Sequence, residues 1–197
     1  MNIAVFASHG GSDLQAIIDG CKNKQIKANV SIVISNNGDS MALQRAKDEN
    51  IPAYHLSSKM FGDENILANE ILKVLSKYNI DMIFLAGYMR MLHVSILEKY
   101  NNRIFNIHPA LLPKFGGKGM YGINVHTAVI DAKETETGVT IHRVNAEYDS
   151  GEIVAQTKVP VLENDTPEIL AKRVLKREHE FLIEVISDII NGIIPLG

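Results

Sequence analysis

The 197-residue chain is 46% hydrophobic and 22% charged, the balance of an ordinary globular protein long enough to bury a sizeable core. Its formal net charge of −3 gives no electrostatic basis for nucleic acid or an anionic membrane as the main partner, and neither is expected. Cys21 is the only cysteine, which rules out an intrachain disulfide and a cysteine-rich metal site.

The opening MNIAVFAS stretch is apolar but too short and too little basic for a signal peptide. No run approaches membrane-spanning length, so a cytoplasmic protein is expected. Asn2–Ala7 reads as a strand, followed by a glycine turn and a helix from about Ser12 to Lys22. Val30–Ser35 is a second strand, Ser40–Glu49 a helix and Ala53–Leu56 a short third strand. Asp63–Tyr78 carries apolar residues at Ile66, Leu67, Ile71, Leu72 and Leu75, which is helical spacing. Asp81–Ala86 and Arg103–Ile107 are further strands. Repeated β-α-β units predict parallel strands joined by right-handed helical crossovers.

The pattern changes after Pro113. Lys114–Asn124 is glycine-rich and reads as an irregular loop, with a short helix over Val125–Ala132. Gly138–Val144 and Ile153–Val161 are strand-like with no helix between them, which predicts antiparallel pairing at one edge. Thr166–Asn191 has the spacing of a long terminal helix, with Thr166 as N-cap and Pro167 at its first position. The expected architecture is α/β: a mostly parallel Rossmann-like sheet flanked by helices, with an antiparallel edge and a long C-terminal helix. No repeat or linker divides the chain, so one domain over 1–197 is expected.

The most informative stretch is Asn106-Ile107-His108-Pro109-Ala110-Leu111-Leu112-Pro113. Two residues apart at a strand end, Asn106 and His108 project from the same face. A carboxamide and an imidazole so placed can hold a carbonyl oxygen that becomes negative under nucleophilic attack. Ser8-His9-Gly10-Gly11-Ser12-Asp13 joins the first strand to the first helix. Its amides suit a phosphate, but taken alone the segment reads more readily as a glycine turn with Ser12 or Asp13 as an N-cap. Asp149-Ser150-Gly151 has the composition of a hairpin turn, yet its carboxylate could reach His108, orient the ring and favour the imidazolium. Met89-Arg90-Met91-Leu92 reads alone as a loop, Glu178-His179 as a solvated helical face, and His142 as a hydrogen-bonded core residue. There is no H-E-x-x-H pattern, no G-x-S-x-G elbow and no complete dinucleotide fingerprint.

Taken in order, these segments resemble the phosphoribosylglycinamide formyltransferases, over nearly the entire chain. The resemblance rests on Gly11-Ser12 with Leu14–Ile18, Leu85-Ala86-Gly87-Tyr88-Met89-Arg90, Asn106-Ile107-His108-Pro109 and Leu111-Leu112-Pro113. It continues through Gly138–His142, Asp149-Ser150-Gly151 and Glu178-His179. It implies formyl transfer from 10-formyltetrahydrofolate, as cosubstrate, to the amino group of 5-phosphoribosylglycinamide, without a metal. Carried over by position, Gly11, Ser12 and Asp13 hold the substrate phosphate and Glu178 contacts the rest of that substrate. Met89, Arg90, Met91 and Leu92, with Asn106 and with Asn145, Ala146, Glu147, Tyr148 and Asp149, line the folate pocket. Asn106, His108 and Asp149 are the expected catalytic group, with Asp149 raising the pKa of His108. The phosphate-binding half falls at about 1–100 and the folate-binding, catalytic half at about 101–197. A monomer or weak homodimer is expected.

The chain departs from the family's usual pattern at several positions. His9 and Asp13 stand where glycine and asparagine are usual, so a phosphate would meet Asp13 through its backbone amide only. An arginine often found near Asp63-Glu64 is missing, and Ala110 replaces a common serine. The first strand starts at residue 2 and the terminal helix ends near Asn191. The extra domains of transfer-RNA formyltransferases and formyl-folate hydrolases are therefore not expected. Two readings from other classes are a noncatalytic nucleotide-binding module, which leaves Asn106, His108 and Asp149 unexplained, and an NAD-dependent oxidoreductase, against which the incomplete fingerprint counts.

Overall fold

The computed structural model describes residues 1–196. The first half runs β1 (Asn2–Phe6), α1 (Ser12–Lys22), β2 (Asn29–Ser35), α2 (Met41–Asp48), β3 (Ala53–His55), α3 (Ser58–Phe61) and α4 (Glu64–Lys77). The second runs β4 (Met82–Leu85), α5 (Val94–Lys99), β5 (Ile104–His108), α6 (Ile123–Asp131), β6 (Glu136–Arg143), β7 (Ile153–Pro160) and α7 (Pro167–Ile190). The strands form one sheet in the order β3-β2-β1-β4-β5-β6-β7. Pairing is parallel from β3 to β5 and antiparallel from β5 through β7. This is the mostly parallel sheet with an antiparallel edge that the strand pattern predicts.

Both faces of the sheet are covered, which is why its central strands are apolar runs rather than alternating ones. On one face Val5, Phe84, Phe105 and Ile141 pack with Leu14 and Ile17 of α1 and Val174, Leu182 and Ile186 of α7. Phe84 and Phe105 stack with ring centroids 5.3 Å apart. Each fully buried ring contributes roughly 1.5–3 kcal/mol relative to an exposed one. On the other face Phe6, Ile34, Leu85 and Ile104 meet Leu67, Ile71 and Leu75 of α4 and Ile96 of α5. Strand alternation puts Asn106 and His108 on the same face as Ile104, at the end of β5 where the apolar cover gives way to a cavity.

The helix starts follow local chemistry. Ser40 caps α2 by accepting from the Leu43 amide, Asp63 caps α4 through Asn65 and Ile66, and Thr166 caps α7 through Ile169 with Pro167 behind it. The helix over Val125–Ala132 begins two residues earlier, at Ile123, with Gly122 at its N-cap and no side-chain cap. Two short helices, α3 and α5, have no counterpart in the sequence pattern. The first is four residues long, too short to show a period, and α5 is capped by His93, whose Nδ1 accepts from the Ser95 amide. Among the described residues no helix is long and apolar enough to cross a membrane.

Candidate active site

The loops that leave β1, β4, β5 and β6 converge at one end of the sheet and enclose a cavity of about 530 Å³. Ligands of open α/β sheets collect at this carboxyl end of the strands. An adjoining depression of about 1080 Å³ shares Tyr88, Met89, Arg90, Met91, Leu92 and Tyr148 with it.

Asn106, His108 and Asp149 meet in the cavity wall. The Asp149 Oδ2 lies 3.6 Å from His108 Nδ1, and Oδ1 lies 3.4 Å from Asn106 Nδ2. Residues forty apart in sequence are joined because β6 runs antiparallel beside β5, so that its following loop returns over the end of β5. Asp149 adopts a left-handed backbone conformation (φ 52°), which aspartate tolerates better than most residues. Asn145 Oδ1 folds the loop by accepting from the Glu147 amide and the Ser150 hydroxyl, each at 3.0 Å.

His142 joins this group through register, since Asn106 and His142 are partners across β5 and β6. Its Nδ1 donates to the Arg143 carbonyl at 2.8 Å. In the neutral ring Nε2 then accepts from Asn106 Nδ2, at 3.0 Å. This orients the carboxamide and leaves its second N–H on the long contact to Asp149. His142 is buried and hydrogen-bonded, as the sequence suggests, and it also supports Asn106.

The glycine-rich loop closes over the same group. His108 Nε2 donates to the Phe115 carbonyl at 2.8 Å, and the Gly117 amide donates to Asp149 Oδ2 at 2.9 Å. A carbonyl only accepts, so His108 carries its hydrogen on Nε2 and turns Nδ1 toward Asp149. Burial pushes the His108 pKa down and outweighs the opposing pull of Asp149 and the Phe115 hydrogen bond, while His142 adds to the downward shift. Asp149 acts upward, as expected, but the net shift is downward, because the ring is 4% exposed and desolvation wins. Burial also pushes the Asp149 carboxyl up, but His142, the Gly117 amide and His108 together hold it below the usual carboxylate range.

At the other end of the cavity lies the turn before α1. Its N-cap is Gly11 (φ 68°), and no side chain caps the helix. Neither Ser12 nor Asp13 caps α1, because the left-handed Gly11 turns the chain into the helix ahead of them. A Cβ on Gly11 would sit 2.9 Å from Ala42 Cα, so glycine is also what lets the turn pack on α2. The turn is tied to the β4 loop by Ser8, whose amide donates to the Gly87 carbonyl and whose Oγ accepts from the Met89 amide.

His9, Asp13 and Glu178 line the cavity near this turn. Glu178 is 7% exposed, and burial, followed by the neighbouring Asp13, pushes its pKa well up. This residue is therefore no part of a solvated helical face. Met89, Arg90, Met91 and Leu92 line the cavity, as do Asn145, Glu147, Tyr148 and Asp149. Gly11, Ser12 and Ala146 do not; the first two lie in the turn between His9 and Asp13. Sequence reasoning missed the Phe115 carbonyl, the Gly117 amide and the supporting role of His142. The Gly116-Gly117 pair was the available signal for the first two. Among the described residues no group of three or more His, Cys, Asp or Glu side chains is placed to hold a metal.

Residues 1–186 match the formyl transferase family. The chain belongs to that family. It is 43% identical over 188 residues to the chloroplastic phosphoribosylglycinamide formyltransferase of Arabidopsis thaliana, covering 95% of this chain and 64% of that relative. It thus spans less than two thirds of that relative's length. It is 36% identical to phosphoribosylglycinamide formyltransferase of Escherichia coli strain K12, covering 98% of this chain and 88% of the relative. Among solved structures, glycinamide ribonucleotide transformylase 1 from Symbiobacterium toebii superposes with a TM-score of 0.90 at 36% identity, covering 98% and 88% of the two chains. In this member of the family Asn106 and His108 of β5, His142 of β6 and Asp149 of the following loop all line the cavity.

Proposed function

We propose that the protein transfers the formyl group of 10-formyltetrahydrofolate to the amino group of 5-phosphoribosylglycinamide, a step of purine biosynthesis. The observation that carries this reading is the meeting of Asn106, His108 and Asp149 in one cavity wall, within a family whose relatives bear that activity in their names. The catalytic group is Asn106, His108 and Asp149. Gly11, Ser12 and Asp13 take the phosphate through backbone amides, and Glu178 contacts the rest of that substrate. The folate lies against Met89–Leu92 and 145–149.

The chemistry balances on these residues. Attack by the substrate amine forms a C–N bond and puts negative charge on the formyl oxygen. Asn106 gives up its long contact to Asp149 and donates that second N–H to the oxygen, a bond that strengthens as charge develops. Neutral His108 accepts the proton of the attacking nitrogen on Nδ1. The resulting imidazolium carries its new N–H on Nδ1, the nitrogen that faces Asp149, whose carboxylate stabilises it. The proton then passes to N10 of the folate as the C–N10 bond breaks, so no net proton is consumed. A depressed His108 pKa suits this role, because the ring is unprotonated and ready to accept near neutral pH.

Isotope-labelled donor tests the reading. Label should move from 10-formyltetrahydrofolate to phosphoribosylglycinamide in the presence of the purified protein. Label released as formate, or retained on the folate, would refute it.

A further inference from the structure

We infer that His179 is a positioning residue that holds the Asp13 carboxylate off the substrate phosphate; this rests on the phosphoribosylglycinamide reading above. His179 Nε2 lies 3.3 Å from Asp13 Oδ1. Both atoms are sealed from solvent, and neither has a hydrogen-bond partner among the described residues. The contact joins α7 to Asp13 in the first turn of α1, and Asp13 lines the cavity.

Asp13 poses a problem that a neutral side chain at this position would not. An acidic side chain in the first turn of a helix competes with an anion for the same amides and the same end of the helix dipole. Glu178 is buried beside it, and its raised pKa reflects, after burial, the charge of Asp13. One end of the cavity therefore gathers two carboxyl groups where a phosphate has to sit. The other basic side chains of this region are committed elsewhere or open to water. Arg45 gives its Nε to the Gly10 carbonyl at 2.9 Å and one terminal nitrogen to Gln15 Oε1 at 3.3 Å. His9 lines the cavity but is exposed and makes no ion pair with Asp13. His179 is the imidazole that touches Asp13, and it does so from α7.

A double-mutant cycle separates this role from a merely structural one. His179→Ala should raise KM for phosphoribosylglycinamide roughly tenfold, while kcat and KM for the formyl donor stay within about twofold. His179→Gln, which keeps an amide donor, should recover part of the loss. In an Asp13→Asn background, His179→Ala should leave KM for the phosphorylated amine within about twofold of its starting value. An equal rise in both backgrounds, or no rise in either, overturns the inference. Calorimetric titration of inorganic phosphate into the four proteins of the cycle (parent, His179→Ala, Asp13→Asn and the double variant) should show the same pattern in Kd. That readout stands even if formyl transfer is absent, so a failure of the pair is distinguishable from a failure of the proposed function.

Discussion

Replacing Gly151 with alanine should damage stability and turnover together. The added Cβ would lie 1.7 Å from the Arg143 carbonyl oxygen, 2.8 Å from its carbon and 3.4 Å from His142 Nδ1. A carbon and a carbonyl oxygen rest at about 3.3 Å or more, so the chain has to open by on the order of 1.5 Å. The obstructing groups are backbone and cannot rotate away. The displaced carbonyl is the one that accepts from His142 Nδ1, and the displaced loop carries Asp149. Overpacking of this kind costs roughly 1–3 kcal/mol, and each kcal/mol lowers Tm by about 2–4 °C in a chain of this size. A misplacement of about 1 Å at reacting groups costs about a hundredfold in rate. Calorimetry and steady-state kinetics on one preparation read both quantities. A Gly151→Ala protein with Tm within about 1 °C of the parent and kcat within about threefold would refute the packing argument.

Glu178→Gln should raise Tm by about 2–4 °C at pH 8 while weakening KM for the phosphorylated amine. The carboxyl's folded pKa is raised, so the stability it contributes is present at low pH and lost as pH rises through that value. The gain should therefore shrink on acidification, as denaturant titrations at several pH values would show. The His108 and His126 pKa values are both pushed down, with burial as the first cause. Their stability contribution is present above the unfolded histidine value and lost as pH falls through it toward the folded values. Unfolding free energy should thus decline below about pH 6.5, and His126→Asn should flatten part of that decline. For catalysis, the acid limb of kcat/KM should lie below the ordinary histidine value, and a limb above it would contradict the depressed His108. His142→Leu should cut kcat by about tenfold or more with a smaller change in KM, because Asn106 loses the acceptor that orients it.

Much of this site was legible because its key residues sit where local rules are strong. Asn106 and His108 share a face by strand alternation, and the β5 run that carries them is plainly apolar before them. The residues alone offered Asp149 as a partner of His108 but favoured an ordinary turn for the D-S-G triplet, and the resemblance tipped the balance. What joins it to His108 is the antiparallel return of β6, a long-range feature with no local mark at Asp149. The direction of the His108 shift was misread for a related reason. A neighbouring charge can be guessed from sequence, but the burial that outweighs it depends on the Phe115–Gly117 loop closing overhead. Glu178 looked solvated because its helix is rich in charge, whereas its own position faces inward with Val174, Phe181 and Leu182. The caps Ser40, Asp63 and Thr166 are side-chain signals of the usual types and were readable; Gly11 caps by backbone geometry, and His93 by an imidazole that is not a usual capping group.

The central claim is that Asn106 stabilises the charge that develops on the formyl oxygen, and kcat for Asn106→Ala in the labelled formyl-transfer assay tests it most directly. Turnover should fall about a hundredfold or more, with substrate KM values changing far less. Near-normal turnover would contradict the account.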